Sequence, residues 1–131
     1  MKLLNLLIFS MLLIVISCKT QPVKKTGIIP QPNEVNYQDG TFTIAEKTTI
    51  VIENSKQSLL IASKLNAFLA KNFDLNLKTS TEPQTNAIQL LVTKKETEKE
   101  GYQLDITKTG IVITGNSYQG LFYGLQTLKQ M

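Results

Sequence analysis

Several residue types that carry chemistry are missing from this chain. It contains no histidine and no tryptophan, and all of its positive side chains are lysines because arginine is absent as well. Without histidine there is no Ser–His or Cys–His nucleophile and no imidazole ligand for a metal ion. The single cysteine, Cys18, cannot form a disulfide within the chain. We therefore predict no catalytic residue, no cofactor and no metal site in this chain.

The beginning of the chain has the pattern of a leader rather than of a folded domain. Met1-Lys2 is positively charged, and residues 3–16 are nearly all apolar. As a helix this run spans about 21 Å, at about 1.5 Å per residue, against a membrane hydrocarbon core of about 30 Å. A charged start, a short apolar run and small residues at its end are typical of a secretion signal. The pattern predicts an exported protein with a signal peptide at residues 1–17.

The cysteine comes directly after the apolar run. Val15-Ile16-Ser17-Cys18 resembles a bacterial lipobox, where signal peptidase cuts before a cysteine that is then acylated. Acyl chains contribute about 0.8 kcal/mol per buried CH₂, and two or more hold a protein at a membrane. We therefore predict lipidation at Cys18 and a membrane-anchored lipoprotein that faces the periplasm or the cell surface. The alternatives are a plain signal peptide with an incidental cysteine, or an uncleaved anchor.

The charges that follow the leader exclude nucleic acid as a partner. Thirteen lysines and ten carboxylates lie after residue 17, a side-chain net charge of +3. The only basic pairs are Lys24-Lys25 and Lys94-Lys95, so there is no basic stripe of the kind that binds nucleic acid. Residues 93–101 are rich in carboxylates and lysines, without apolar neighbours that would enclose them. We interpret this segment as a solvated loop rather than a metal or acid–base site.

Hydrophobic periodicity predicts one domain at residues 28–131, after a flexible tether at 18–27. The prolines at 30 and 32 favour an extended path at its start. The first predicted elements are strands at 41–44 and 49–52 and a helix capped by Asn54-Ser55 or Ser58 that ends near Phe73. A short strand at 75–78 and a strand at 87–92 follow. The last elements are a hairpin at 102–114, with Asp105 on its outer face, and a helix from Tyr118. This order predicts an α/β fold of the α+β two-layer sandwich type, with helices packed on one face of a mixed, mainly antiparallel sheet.

The last predicted helix has two notable features. Leu121, Phe122, Leu125 and Leu128 form an apolar stripe, part of which we expect to face a domain outside this chain. Gly120-x-x-x-Gly124 places two glycines on one side, although each costs about 1 kcal/mol relative to alanine in a helix. The glycines predict a close approach of this helix to the sheet.

Two groups of residues carry a family resemblance. The first is Ile28-Ile29-Pro30-Gln31-Pro32 with Gly40-Thr41-Phe42, and the second is Gly101-Tyr102-Gln103-Leu104 with Ile111-Val112-Ile113 and residues 120–128. They resemble the opening and the end of the N-terminal domain of bacterial β-N-acetylhexosaminidases of glycoside hydrolase family twenty. The resemblance covers about residues 28–131.

This resemblance implies a small sandwich domain that stands before a catalytic (β/α)₈ barrel. In that family the acetamido group of the substrate is the nucleophile, assisted by a paired aspartate and glutamate, while an arginine and several tryptophans grip the sugar. This chain has no such pair, arginine or tryptophan, so the resemblance transfers no catalytic residue and implies that the barrel is missing from the chain. The implied function is support of a lipid-anchored exo-acting enzyme that removes terminal N-acetylhexosamine from glycans, with glycan bound only by the barrel.

Two alternatives remain open at this point. The chain could be a free-standing lipoprotein that binds glycan or a partner protein. It could also be the N-terminal domain of another exo-glycosidase, such as an α-glucuronidase or an enzyme of the O-GlcNAcase type.

Overall fold

The computed structural model of the protein describes residues 27–95 and 97–131. The predicted signal peptide, Cys18 and residues 18–26 of the predicted tether lie outside the described residues, as does Glu96. The strands are β1 (Thr49–Ile52), β2 (Lys78–Ser80), β3 (Ala87–Val92), β4 (Tyr102–Thr107) and β5 (Gly110–Gly115), and the helices are α1 (Lys56–Phe73) and α2 (Tyr118–Leu128). Within the described ranges, neither helix is long and apolar enough to cross a membrane.

The five strands form one mixed sheet in the order β2-β1-β3-β5-β4. β1 pairs in parallel with β2 and with β3, β3 pairs in parallel with β5, and β4 pairs antiparallel with β5. The mixed sheet and the α+β two-layer architecture are as predicted, but the expected mainly antiparallel pairing is wrong. Alternation of apolar residues identifies the buried face of a strand, but it does not show whether the strand runs parallel or antiparallel to its neighbours. Here α1 carries the chain back so that β1 and β2 run parallel, whereas the short turn after β4 forces an antiparallel pair.

Both helices cover the same face of the sheet, as predicted. Two rows of side chains cross the three central strands in register, namely Ile50, Ile88 and Ile111, then Ile52, Leu90 and Ile113. These rows form one buried cluster with Ile61, Ala62, Leu65 and Leu69 of α1 and with Leu121 and Leu125 of α2. Full burial of one such aliphatic side chain stabilises by about 1.5–3 kcal/mol, so this cluster is the main contact between the two layers.

The two glycines of α2 lie where the helix touches its neighbours. Gly120 and Gly124 are both buried. A Cβ on Gly120 would collide with the carbonyl oxygen of Gly101, and a Cβ on Gly124 would collide with Cγ2 of Ile113. The predicted close approach of this helix to the sheet is confirmed.

The hairpin and the helix boundaries also agree with the sequence pattern. β4 and β5 are joined through Lys108 and Thr109, and Asp105 is exposed on the outer side of the hairpin. α1 begins after Ser55, whose Oγ accepts a hydrogen bond from the backbone N–H of Ser58 at 3.0 Å. Of the two predicted caps, the structure therefore uses the earlier one.

Three local predictions are wrong, two of them for identifiable reasons. Residues 41–44 form no strand, because the half-buried Phe42 and Ile44 pack on the core while the segment pairs with none of the described strands. The predicted strand at 75–78 begins only at Lys78, since the side chain of Asn66 bonds both backbone groups of Leu77, at 2.8 and 2.9 Å. The predicted extended path near Pro30 contains a bend.

Candidate docking face

An open groove of about 600 Å³ runs between the two helices, on their side away from the sheet. Its lining residues are Lys64, Ala67, Phe68, Lys71 and Asn72 of α1, and Phe122, Gln126 and Lys129 at and beyond α2. The apolar stripe of α1 formed by Ile61, Leu65 and Leu69 faces the core, which turns the next helical rows toward this groove. The groove is therefore a surface feature of the helical layer and lies outside the core.

The floor of the groove is aromatic. Phe68 and Phe122 are half-buried, and Lys129 places its Nζ 5.1 Å from the centroid of the Phe68 ring. An ammonium at this distance from an aromatic face gains about 0.5–1 kcal/mol at an exposed site. Phe73 is 61% exposed, with its ring edge-on to Phe68 at a centroid distance of 6.0 Å. The aromatic surface thus continues from the groove to the end of α1.

The two helices run side by side from a shared start. The hydroxyl of Tyr118, the first residue of α2, donates a hydrogen bond of 3.1 Å to Oγ of Ser55, the N-cap of α1. At the other end, Lys129 reaches over Phe68. These contacts join the two helices at their first residues and again where Lys129 meets Phe68.

The charges of the helical layer all have one sign. Its lysines are Lys56, Lys64, Lys71 and Lys129, and no aspartate or glutamate occurs at 56–73 or 118–131. A carboxylate approaches α2 at its first turn, where Glu100 accepts a hydrogen bond from Nε2 of Gln119 at 2.8 Å. None of the residues that line the groove is acidic. The groove is therefore an apolar channel with a basic rim.

The carboxylates themselves lie where they cannot act as a buried acid. Every described carboxylate is exposed except Glu53, which is half-buried. Asp105 accepts a hydrogen bond from Nε2 of Gln103 at 2.9 Å on the outer side of β4. Among the residues that the structure describes, no three aspartate, glutamate, cysteine or histidine side chains come together. A general acid of a glycosidase works beside the leaving oxygen inside a pocket, whereas these carboxylates lie on the surface of the domain.

The predicted stripe of α2 is divided between two environments. Leu121 and Leu125 are completely buried in the domain's own core, and Leu128 is half-buried. Outside the buried cluster, α2 presents Phe122 in the groove and Tyr123, which is 37% exposed. That part of the stripe faces a domain outside this chain stays a prediction.

The sequence pattern did not single out the groove lysines as a set. The apolar period of α1 leaves Lys64 and Lys71 on its polar side, and no pattern in the sequence relates Lys129 to them. The absence of any acidic residue from both helices is visible in the sequence and could have identified a face of one charge. The contact of Lys129 with Phe68 depends on how two distant helices pack, which periodicity within each helix does not specify.

The fold and surface define a small two-layer α+β domain with exposed carboxylates and an open groove on its helical layer. Residues 25–131 match the family model described as glycosyl hydrolase family 20, domain 2. The chain belongs to this family. The resemblance seen in the sequence is thereby confirmed.

Individual relatives are longer proteins. The chain is 38% identical over 112 residues to a β-hexosaminidase of Porphyromonas gingivalis, covering 82% of this chain and 14% of that protein. It is 30% identical to a lacto-N-biosidase of Bifidobacterium bifidum, covering 86% of this chain and 10% of that protein. The solved β-N-acetylhexosaminidase of Streptomyces coelicolor has a TM-score of 0.71 at 27% identity, covering 78% of this chain and 20% of that one. This chain therefore spans between a tenth and a fifth of these proteins.

Proposed function

We propose that this chain is the N-terminal support domain of an exo-acting β-N-acetylhexosaminidase that removes terminal N-acetylhexosamine from glycans. The chemistry would belong to a (β/α)₈ barrel that follows this domain in the parent protein. The observation that carries the proposal is the family match over residues 25–131, which covers the whole described domain. Relatives named as β-hexosaminidases extend far beyond the matched part.

The geometry of the domain supports a role without chemistry of its own. Glycoside hydrolysis requires a carboxylic acid beside the leaving oxygen and groups that stabilise the developing positive charge of the sugar. The described carboxylates are exposed, apart from the half-buried Glu53, and the chain has no tryptophan on which a sugar ring could stack. A continuous buried cluster joins both helices to the sheet, so the domain can act as a rigid element beside a catalytic domain.

We also propose that the parent protein is exported and held at a membrane through an acylated Cys18. The support for this is the segment Val15-Ile16-Ser17-Cys18 after a charged start and an apolar run. The tether at 18–27 would then separate the lipid from the domain.

A chimera of the Porphyromonas gingivalis β-hexosaminidase tests the proposed support function. Residues 19–131 of this chain replace the matching segment of that enzyme, and the enzyme without that segment is the control. We expect the chimera to hydrolyse aryl N-acetylglucosaminide and to unfold at least about 3 °C above the control, because a docked domain stabilises its partner. We expect no hydrolysis by residues 19–131 alone. Turnover by residues 19–131 alone, or a chimera no more stable than the control, would overturn the proposal.

A further inference from the structure

We propose that a cleft beside the turn between β4 and β5 binds an uncharged sugar residue of a glycan chain. This inference rests on the proposed function, which brings glycan to the protein, and adds to it a contact that this domain itself makes with the glycan. The cleft shares no lining residue with the groove between the helices. Its shape, its polar side chains and the balance of its charges carry the inference.

The cleft lies where the segment before β1 meets the end of the hairpin. It has a volume of about 330 Å³, with residues 38–40 on one side and residues 106–109 on the other. Gly40 has a φ of +116°, and a Cβ at this position would collide with the side chain of Lys108. Only glycine adopts such a φ readily, so Gly40 allows the segment to pass close to Lys108 and to form one wall. Ligand pockets begin at about 300 Å³, so this volume fits one small ring.

Three polar side chains of different chemistry line the cleft. Gln38 supplies an amide, Asp39 a carboxylate and Lys108 an ammonium group, which together donate and accept hydrogen bonds. All three are exposed, and within the described part of the chain none of them is hydrogen-bonded or ion-paired through its side chain. The hydroxyl groups of Thr107 and Thr109, by contrast, lie 3.2 Å from each other as a hydrogen-bonded pair. The amide, the carboxylate and the ammonium are therefore the groups that a ligand meets.

The charges of the cleft favour an uncharged ligand. The carboxylate of Asp39 disfavours a phosphate or an acidic headgroup, and the ammonium of Lys108 disfavours a cation, because like charges brought together weaken binding. Each hydroxyl of a sugar both donates and accepts a hydrogen bond, so one sugar ring can bond to all three groups. The half-buried Ile106 also lines the cleft and offers an apolar contact to the C–H groups of the ring or to the methyl of an acetamido group.

The test is a titration of ¹⁵N-labelled residues 19–131 with triacetylchitotriose, in which the amide chemical shifts report where the sugar binds. We expect saturable shifts at residues 38–40 and 106–109, and no comparable shifts along the groove between the helices. The same spectra show whether each variant of the domain is folded.

Two triple variants separate the cleft from the rest of the surface. The cleft variant is Gln38→Ala/Asp39→Ala/Lys108→Ala. The control removes one exposed amide, one ammonium and one carboxylate elsewhere, at α1, β2 and the loop after β2, as Gln57→Ala/Lys78→Ala/Glu82→Ala. We expect the cleft variant to raise Kd by about tenfold or more, because it removes several hydrogen bonds to the sugar. The control should change Kd by less than about twofold.

The remaining outcomes overturn the cleft. No shifts throughout the titration, shifts confined to the groove between the helices, or an equal loss of affinity in both variants would do so. A second titration with inorganic phosphate tests the charge argument, and tighter binding of phosphate than of the trisaccharide at residues 38–40 would show an anion site instead. The proposed function is judged separately, by the activity and stability of the chimera with the Porphyromonas gingivalis enzyme. An active, stabilised chimera together with a domain that binds no trisaccharide would overturn the cleft alone.

Discussion

The side-chain amide of Gln130 holds both backbone groups of Ile29. Its Oε1 accepts a hydrogen bond from the Ile29 N–H at 2.9 Å, and its Nε2 donates one to the Ile29 carbonyl oxygen at 3.1 Å. The pair joins the first described segment of the chain to the residues that follow α2. The start and the end of the domain are therefore fastened at one place, although 101 positions separate the two residues.

Replacing Gln130 by alanine tests this connection. Both hydrogen bonds are exposed, and a hydrogen bond contributes about 0.5–1.5 kcal/mol net. We expect Gln130→Ala to lower the free energy of unfolding in urea by about 1 kcal/mol. Gln57→Ala, at an exposed glutamine of α1, is the control and should change it by less than about 0.5 kcal/mol. Equal values for the two variants would show that the pair contributes nothing to stability.

The second prediction ranks the loss of stability caused by alanine at the two glycines of α2. Alanine favours a helix by about 1 kcal/mol over glycine, but a Cβ on Gly120 meets the backbone carbonyl of Gly101, while one on Gly124 meets a methyl group of Ile113. Backbone cannot move aside as easily as a side chain, and overpacking costs about 1–3 kcal/mol. We expect Gly120→Ala to destabilise the domain more than Gly124→Ala. Gly27→Ala has open space around it and serves as the control. Stabilisation by Gly120→Ala would contradict the close contact.

Features of the fold that depend on contacts between neighbouring residues are predictable from this sequence, whereas features that depend on contacts between distant segments are not. The hairpin is predictable because Tyr102, Leu104 and Ile106 alternate and a short turn follows, so the deciding contacts are local. The parallel order is not, because pairs such as Thr49 with Ala87 are set by how distant strands meet. Phe73 fits the apolar period of α1, yet it lies at the end of the helix where the core no longer covers it. The same limit applies to the groove. The sequence predicts the position of each lysine along the chain, but it does not predict that the lysines lie around one groove.

A short hydrogen bond between β4 and α2 offers a double-mutant test. The hydroxyl oxygen of Tyr102 lies 2.6 Å from Oγ1 of Thr127, and Thr127 is 7% exposed. Removing one partner leaves the other hydroxyl buried without this bond, which costs about 1–3 kcal/mol. We therefore expect Tyr102→Phe to destabilise by about 1–2 kcal/mol, and Thr127→Val added to it to cost little more. Tyr123→Phe, at an exposed tyrosine, is the control. Fully additive losses in the double variant would contradict the coupling of the two hydroxyl groups.

Lipidation at Cys18 remains a prediction, since that residue is outside the described part of the chain. In cells of a lipoprotein-processing bacterium, we expect the intact precursor to incorporate a labelled fatty acid and to sediment with membranes. Cys18→Ala should abolish the label because only the cysteine sulfur and its new amino group accept the acyl chains. Ser17→Ala keeps a small residue before the cleavage site and should leave the label unchanged. Labelling that persists in Cys18→Ala would show that the leader is processed in another way.

Self-association of the isolated domain is the last prediction. The helices and the residues after them carry exposed apolar side chains, with Phe73 61% exposed, Tyr123 37% and Met131 72%, and exposed apolar area favours association. We expect residues 19–131 to form concentration-dependent dimers or larger species in size-exclusion chromatography with light scattering. Phe73→Ser/Tyr123→Ser should shift the domain toward the monomer, because it removes apolar area beside the groove without touching the buried cluster.

The control for this shift is Val35→Ser/Tyr37→Ser, which removes exposed apolar side chains, 41% and 58% exposed, from the segment before the first strand. Association could arise from the helical layer or from this segment, and the two variants distinguish these possibilities. If both shift the monomer fraction equally, association is unspecific and says nothing about a docking face. A strictly monomeric domain at high concentration would count against an apolar interface on the helices and would favour a free-standing lipoprotein. Association lost only in Phe73→Ser/Tyr123→Ser would place the adhesive surface beside the basic groove, where a catalytic domain can cover it.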